Sequence, residues 1–215
     1  MKQQHMPLAR EGYPFIVLTG FITLIFSLTG PVPFAFTGLV CTIFVVYFFR
    51  DPARVVPEDP DVVICPADGK IIAVKEVEDS RFLHERVLKI SIFMNVFNAH
   101  VNRIPLAGTV EKVFFKPGKF YAADKDKATL HNEYCAVTLA TSRGFRYCVV
   151  QVAGLIARRI VCRAEPGDVI TAGERYGLIR FGSRVDLYLP PDTEPVIALG
   201  DKVRAGETIL ARLRD

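Results

Sequence analysis

The sequence predicts a mainly β (α+β) protein: a sandwich- or barrel-like β domain behind an N-terminal hydrophobic helical hairpin. Three observations predict it. Two charge-free apolar runs, Tyr13 to Leu28 and Phe34 to Phe49, stand next to each other near the N-terminus. Beyond about residue 55 the hydrophobic period becomes two, in short segments rich in Val, Ile and Phe with Gly, Pro and Asp between them. No long stretch of helical period follows the second apolar run.

The hairpin comes first in the chain. Residues 1–12 are polar and carry Lys2 and Arg10. Gly30-Pro31-Val32-Pro33 separates the two runs, and the second ends at Arg50-Asp51-Pro52. Each run has roughly 16–18 residues, at the short end of what crosses a bilayer core as a helix. A removed signal peptide is disfavoured, because no small-residue cleavage site follows the first run and a second apolar run does. Two adjacent Phe-rich runs without charge also argue against a buried core hairpin. Basic residues flank both outer ends (Lys2 and Arg10; Arg50 and Arg54), and the turn has none. Both ends then face the cytoplasm. The expectation is a membrane-anchoring hairpin over residues 1–50 and a second domain over 51–215, at the cytoplasmic side of the cell (inner) membrane. Whether the hairpin spans twice or enters one leaflet is left open.

The predicted strands are Val62–Ile64, Ile71–Val74, Val87–Phe93, Thr109–Phe115, Tyr134–Leu139, Phe145–Val152 and one long strand over Tyr176–Pro190. Pro117 to Asn132, with Lys119, Asp124, Lys125 and Lys127, reads as a mobile polar loop. One internal repeat stands out: Gly167-Asp-Val-Ile-Thr-Ala-Gly-Glu174 matches Gly200-Asp-Lys-Val-Arg-Ala-Gly-Glu207. Gly-Asp and Ala-Gly suit tight turns, and a strand follows each copy. The second copy resembles the turn of biotinyl and lipoyl domains. No lysine sits in a recognisable hairpin tip, so the likeness is one of fold only.

Composition narrows the partners. Half the residues are hydrophobic, and the net charge of +4 lacks the clustered basic face that nucleic acid requires. It suits a protein beside an anionic membrane. The five cysteines (Cys41, Cys65, Cys135, Cys148 and Cys162) form no CxxC and no metal-like spacing. They read as small buried hydrophobes in a reducing compartment, with no metal site expected.

Within the long predicted strand, Ile179, Phe181, Val185, Leu187 and Leu189 share one face, and Arg180, Arg184, Asp186 and Tyr188 the other. Ser183 falls on the apolar face, so its hydroxyl points inward and needs a partner. Gly182 before it lacks a Cβ where another group can approach the backbone. The pair suits an internal reaction between a buried hydroxyl and a glycine carbonyl, although most Gly-Ser pairs are only turns or bulges. Asp68, in Pro66-Ala-Asp-Gly-Lys70, follows an apolar strand; by itself it reads as a turn aspartate. His100, in Phe93-Met-Asn-Val-Phe-Asn-Ala-His-Val-Asn-Arg-Ile-Pro105, ends another apolar segment. His5, His84 and His131 lie in polar or charged surroundings. A serine, a histidine and an aspartate at strand ends are the parts of a nucleophile, base and orienter set. No Gly-x-Ser-x-Gly elbow is present, which disfavours an ordinary hydrolase.

Four stretches together resemble phosphatidylserine decarboxylases of the short, pyruvoyl-dependent bacterial kind. They are Phe48-Phe-Arg-Asp-Pro52, Pro66-Ala-Asp-Gly69, Asn98-Ala-His-Val-Asn-Arg103 and Ile179-Arg-Phe-Gly-Ser-Arg184, with Gln151-Val-Ala-Gly154 similar as well. Each is weak alone; their order and spacing make the set specific. The resemblance runs from about residue 45 to the end. It implies a proenzyme that cuts itself between Gly182 and Ser183 and turns Ser183 into a covalent pyruvoyl group, with no pyridoxal phosphate and no metal. It further implies that Asp68 and His100 serve with Ser183, and that the membrane phospholipid phosphatidylserine is decarboxylated through a Schiff base. The large chain (1–182) and small chain (183–215) would form a heterodimer, with a higher oligomer left open. Two departures stand out. Arg103 occupies the place of a second histidine found in longer relatives, and Arg184 follows the serine where a small residue is common. Lys119, Lys125 and Lys127 are candidates for the phosphodiester. Two other readings remain: decarboxylation of a related serine phospholipid of the archaetidylserine kind, and a membrane-tethered, biotinyl-like binding module.

Overall fold

The computed structural model describes residues 7–118, 132–154, 159–180 and 183–214. The chain divides into two units, residues 1–53 and 54–215. In the first, helices α1 (Tyr13–Thr29) and α2 (Val32–Phe48) pack on each other. Pro14 and Pro33 sit in their first turns, where a missing N–H costs nothing. Gly38 admits the close approach, because a Cβ there would lie 2.7 Å from Thr23 Oγ1. Thr23 and Thr42 hydroxyls meet at 3.1 Å. Hydroxyls of Thr19, Thr23, Thr29, Thr37 and Thr42 bond to carbonyls one turn back. Polar atoms are thus satisfied within the hairpin, while Val17, Phe21, Leu28, Val32 and Phe36 stay exposed. The stretch Arg10–Thr29 is long and apolar enough to cross a membrane, whereas α2, with 17 residues, is shorter. Ala9 N–H donates to the Phe49 carbonyl and Asp51 N–H to the Pro7 carbonyl, both at 2.8 Å, so the two ends of the hairpin are tied together.

The second unit is β. Its strands are β1 (Val62–Ile64), β2 (Gly69–Glu78), β3 (Arg86–Met94), β4 (Val101–Arg103), β5 (Gly108–Lys116), β6 (Tyr134–Ala140), β7 (Arg146–Ala153), β8 (Ile160–Cys162), β9 (Val169–Ile170), β10 (Arg175–Ile179), β11 (Ser183–Leu189), β12 (Glu194–Pro195), β13 (Lys202–Val203) and β14 (Ile209–Arg212). Eight form one curled sheet in the order β13-β2-β3-β11-β7-β6-β5-β9. The rest form two small sheets, β1-β14-β12 and β4-β10-β8. The strand pairs are antiparallel. The mainly β architecture with an apolar helix pair is therefore the one the sequence predicts.

These strands are two copies of one seven-stranded arrangement. One copy is β1, β2, β3, β11, β12, β13 and β14; the other is β4 to β10. Every pairing in one has its counterpart in the other: β1·β14 and β4·β10, β2·β3 and β5·β6, β13·β2 and β9·β5, β3·β11 and β6·β7. A register irregularity falls at the same point in both, between Ile71 and Ala73 and between Val110 and Lys112. Gly69 and Gly108 correspond too: a Cβ would meet the Phe93 carbonyl oxygen at 2.2 Å and that of Ala140 at 2.6 Å. The internal sequence repeat marks the matching turns. Gly167 and Gly200 donate to the Val110 and Ile71 carbonyls, and Gly173 and Gly206 to those of Ile104 and Cys65. All four glycines have φ between 75° and 97°, the left-handed region that favours glycine. The second copy is inserted in the first between β3 and β11, at the position where its own β6 and β7 are joined by a short turn through Gly144.

Both faces of β11 are buried. Val185, Leu187 and Leu189 join the main core with Ile90, Ile92 and Val149. Tyr188 joins a second cluster with Leu83, Val87, Val150 and Phe82. Asp79 builds the cover on that side by accepting from the N–H groups of Phe82 and Leu83 at 2.9 and 2.7 Å.

One expectation changes. The predicted strand over Tyr176–Pro190 is two strands in different sheets. β10 pairs with β4 and β8, while β11 pairs with β3 and β7. Alternation alone does not show which partners supply hydrogen bonds. The second face of β11 is buried as well: Arg184, Asp186 and Tyr188 are all covered. Strands β4, β8, β9, β12 and β13 were not predicted, because two or three residues are too few to establish a period, whereas β14 is the strand expected after the second repeat copy. The expected polar loop lies almost wholly outside the described residues.

Gly69→Ala is expected to lower stability by about 1–3 kcal/mol, since the new methyl meets backbone rather than a movable side chain. Chemical denaturation of the detergent-solubilised protein checks this. Gly20→Ala, inside α1, where the new Cβ meets nothing beyond its own stretch of helix, is the comparison that should lose no stability.

Candidate active site

The insertion brings its own two ends together. The chain leaves the first copy at Met94 and returns at Ser183, and these residues are partners in the β3·β11 register. After β3, Asn98 N–H donates to the Asn95 carbonyl at 3.1 Å, and Asn95 N–H to Asn98 Oδ1 at 2.9 Å, which folds the exit into a tight loop. His100 follows and is fully buried. Its Nδ1 lies 2.9 Å from the Asn98 carbonyl oxygen. A carbonyl only accepts, so Nδ1 carries the proton and Nε2 is the basic nitrogen of the neutral ring.

Ser183 is the first residue of β11 and is fully buried, facing the main core as its position in the sequence pattern predicts. Its Oγ donates to Met94 Sδ at 3.3 Å. Asn102 Nδ2 reaches the same sulfur at 3.7 Å, and Gln151 Nε2 donates to Asn102 Oδ1 at 2.9 Å. On the opposite face, Arg184 donates to Asp186 at 2.5 Å and to Ser91 Oγ at 2.9 Å, and Lys89 pairs with Asp186 at 3.1 Å. Burial holds the Lys89 ammonium below its ordinary pKa, and the Asp186 carboxylate opposes that shift. Arg184 thus anchors the strand immediately after Ser183.

Asp68 precedes Gly69, which lies against the Phe93 carbonyl at the same end of β3. Its carboxylate accepts a bidentate pair from Arg54 at 2.8 and 2.9 Å and a third bond from Ala205 N–H at 2.8 Å. The loop carrying it is pinned by Cys65, whose N–H donates to the Thr208 carbonyl and whose carbonyl accepts from Gly206 N–H. Burial pushes the Cys65 thiol pKa up, keeping it a neutral core residue. Arg103 N–H donates to the Pro66 carbonyl at 2.9 Å, which joins the Asp68 loop to the strand after His100. The Arg103 side chain reaches the Gly173 carbonyl at 3.0 Å. It clamps one repeat turn and does not take the place of a second base.

The structure therefore brings the segments of Ser183, His100 and Asp68 to one end of β3. Their side chains do not form a hydrogen-bonded triad. Ser183 bonds Met94, and Asp68 bonds Arg54 and Ala205. Gly182, Lys119, Lys125, Lys127 and His131 lie outside the described residues. Among the described residues no group of three or more His, Cys, Asp or Glu side chains is placed to hold a metal. Sequence reasoning passed over Arg54, Met94 and Asn102 as parts of the site. Asn102 and Gln151 stand inside quoted motifs. Nothing in the sequence marks Arg54, whose partner is 14 positions away.

Comparison with known proteins follows the same residues. The family described as phosphatidylserine decarboxylase matches residues 41–211. The phosphatidylserine decarboxylase proenzyme of Desulfotalea psychrophila is 54% identical, over 99% of this chain and 100% of its own length. Those of Geotalea uraniireducens and Geobacter sulfurreducens are each 50% identical, over 99% of this chain and 100% of theirs.

Removing Arg54 leaves the Asp68 charge buried with one donor. Arg54→Met is expected to cost about 3–5 kcal/mol. Arg54→Met with Asp68→Asn is expected to lose less than the sum of the single losses. Urea titration of the three variants measures this coupling.

Proposed function

The chain belongs to the phosphatidylserine decarboxylase family, and from that premise we propose that it is a proenzyme that splits itself at Gly182-Ser183 and decarboxylates phosphatidylserine to phosphatidylethanolamine. The observation that carries the reading is Ser183: a fully buried hydroxyl at the first residue of β11, where the inserted half of the fold rejoins the other.

Self-cleavage uses this chain's own atoms. Ser183 Oγ attacks the Gly182 carbonyl carbon, and the peptide nitrogen leaves as an amine, giving an ester. A base then takes the Ser183 Cα proton while the Cβ–Oγ bond breaks, so the oxygen departs in the Gly182 carboxylate. The dehydroalanine left at the new N-terminus takes up water, releases ammonia and becomes a pyruvoyl group. His100 is assigned as the base, on its buried Nε2. Asp68 is assigned to hold the loop and the local charge. Its tie to Arg54 makes this an electrostatic and positioning role.

The residues present fit a pyruvoyl group. Ser183 is enclosed by Met94, Ala153 and the main core, out of contact with bulk solvent. When formed, the group supplies an electron sink for the carbanion left by loss of carbon dioxide. The surrounding low-dielectric core favours loss of the substrate carboxylate charge. The exposed apolar hairpin supports membrane association. It keeps the enzyme at the bilayer that contains its substrate, and the basic flanks favour the cytoplasmic side.

After cleavage, residues 183–214 remain paired through β11 to β3 and β7, β13 to β2, and β14 to β1. The two chains are expected to co-purify without denaturant and separate with it. Intact-mass analysis of the wild type should show both chains; a wild type that never splits would sink the proposal. Ser183→Ala should abolish splitting and activity. His100→Ala should slow splitting by about 100-fold or more, as for loss of a general base; rapid, complete splitting removes His100 from that role.

A further inference from the structure

Beneath Ser183 runs a chain of buried contacts to which the steps above assign no part. Met94, Asn102, Gln151 and Ser183 are all fully buried. The direction of the chain is forced. The Gln151 amide nitrogen stands 2.9 Å from Asn102 Oδ1 and 3.5 Å from the Val161 carbonyl oxygen. A backbone carbonyl only accepts, so Gln151 turns its NH₂ end to both. Asn102 must then present its oxygen to Gln151, which aims its own NH₂ at Met94 Sδ, 3.7 Å away. Ser183 Oγ donates to the same sulfur at 3.3 Å. Gln151 Oε1 is buried with no hydrogen-bond partner among the described residues, a cost the fold bears in this orientation. Gly177 makes the room: a Cβ there would lie 2.7 Å from Gln151 Nε2 and 2.4 Å from the Val161 oxygen.

We propose that Asn102 and Gln151 are positioning residues for self-cleavage, acting on Ser183 through Met94. They fix the sulfur so that it holds the Ser183 hydroxyl hydrogen in the interior. A thioether is a weak acceptor, so the hydroxyl is oriented without being strongly stabilised, and its oxygen lone pairs stay available for attack. A carboxylate or amide at position 94 would bind the same hydroxyl tightly. This role rests on the reading that the chain splits at Gly182-Ser183.

The test follows splitting of the full chain made by cell-free translation with phospholipid vesicles. Gln151→Glu places a carboxylate against the Val161 carbonyl. Asn102 then turns its NH₂ towards position 151 and away from Met94. Splitting is expected to be about tenfold slower than wild type near pH 8, and the deficit to shrink towards about pH 5.5, as protonation of the buried carboxyl restores a donor. Gln151→Met, with no donor at any pH, should show the same deficit at both. Among the described residues the titratable groups beside this position are Cys135, opposite Gln151 on β6, Cys162, opposite Gly177 on β8, and Tyr176, next to Gly177 on β10. Both variants keep them, so the comparison isolates the new carboxyl. Met94→Leu, apolar and of similar volume, guards against misfolding and should also split more slowly. If the wild type splits and all three variants stay within about twofold of it, the positioning role is overturned alone. A Gln151→Glu deficit that ignores pH overturns it as well. A wild type that never splits overturns the underlying reading instead.

Discussion

The pairing of β3 with β11 is the constraint on which the rest of the structure depends. It aligns seven residue pairs from Leu88·Leu189 to Met94·Ser183. Chain order gives no reason for it, because the whole second half of the fold intervenes. The pairing exists because each half needs its counterpart of the β6·β7 hairpin. In the inserted half a short turn closes that hairpin; in the other half the closure is made by hydrogen bonds and burial alone. Both ends of the insertion must then emerge at one spot. Those ends carry His100 and Ser183. A histidine and a serine 83 positions apart thus lie on the two segments where the inserted half leaves and rejoins the first.

This arrangement is also compatible with a broken backbone. A cut before Ser183 frees no strand, because β11 is held on both sides and β13 and β14 are paired with the large chain. The buried Arg184, Asp186, Lys89 and Ser91 group secures the strand just inside the cut. Taking these charges from water is costly, and the lowered Lys89 pKa is the trace of that cost. In exchange, a chain end made by such a cut would keep a fixed direction, with hydrogen bonds on one face and the Met94 sulfur on the other.

The Asp68 region shows the same economy of parts. Its loop is held by the turn at Ala205–Gly206, while the equivalent turn at Gly173 is held by Arg103 from the strand after His100. The two copies of the repeated Ala-Gly turn thus serve different ends. One donates a backbone N–H to the site aspartate, and the other accepts the arginine that braces the neighbouring strand. Arg103 supplies this bracing.

The sequence alone determined the apolar hairpin, the mainly β class, the five longer strands before residue 154 together with the short β1, and the inward face of Ser183. Those features depend on local periodicity and charge, which neighbouring residues express directly. The motifs also pointed to Asp68, His100 and Ser183. Tertiary structure decided the rest. The stretch around Ser183 is two strands because each half finds hydrogen-bond partners far away in the chain. Tyr188 alternates with Arg184 and Asp186 as on an exposed face, yet Phe82 and Leu83 pack over it, and no local pattern encodes a cover. Asp68 is bound to Arg54 instead of completing a triad, because the geometry of distant loops sets which donors reach a buried carboxylate. The repeat was visible as two eight-residue segments with five identical residues; that it records a duplicated, inserted half became visible only in the strand order.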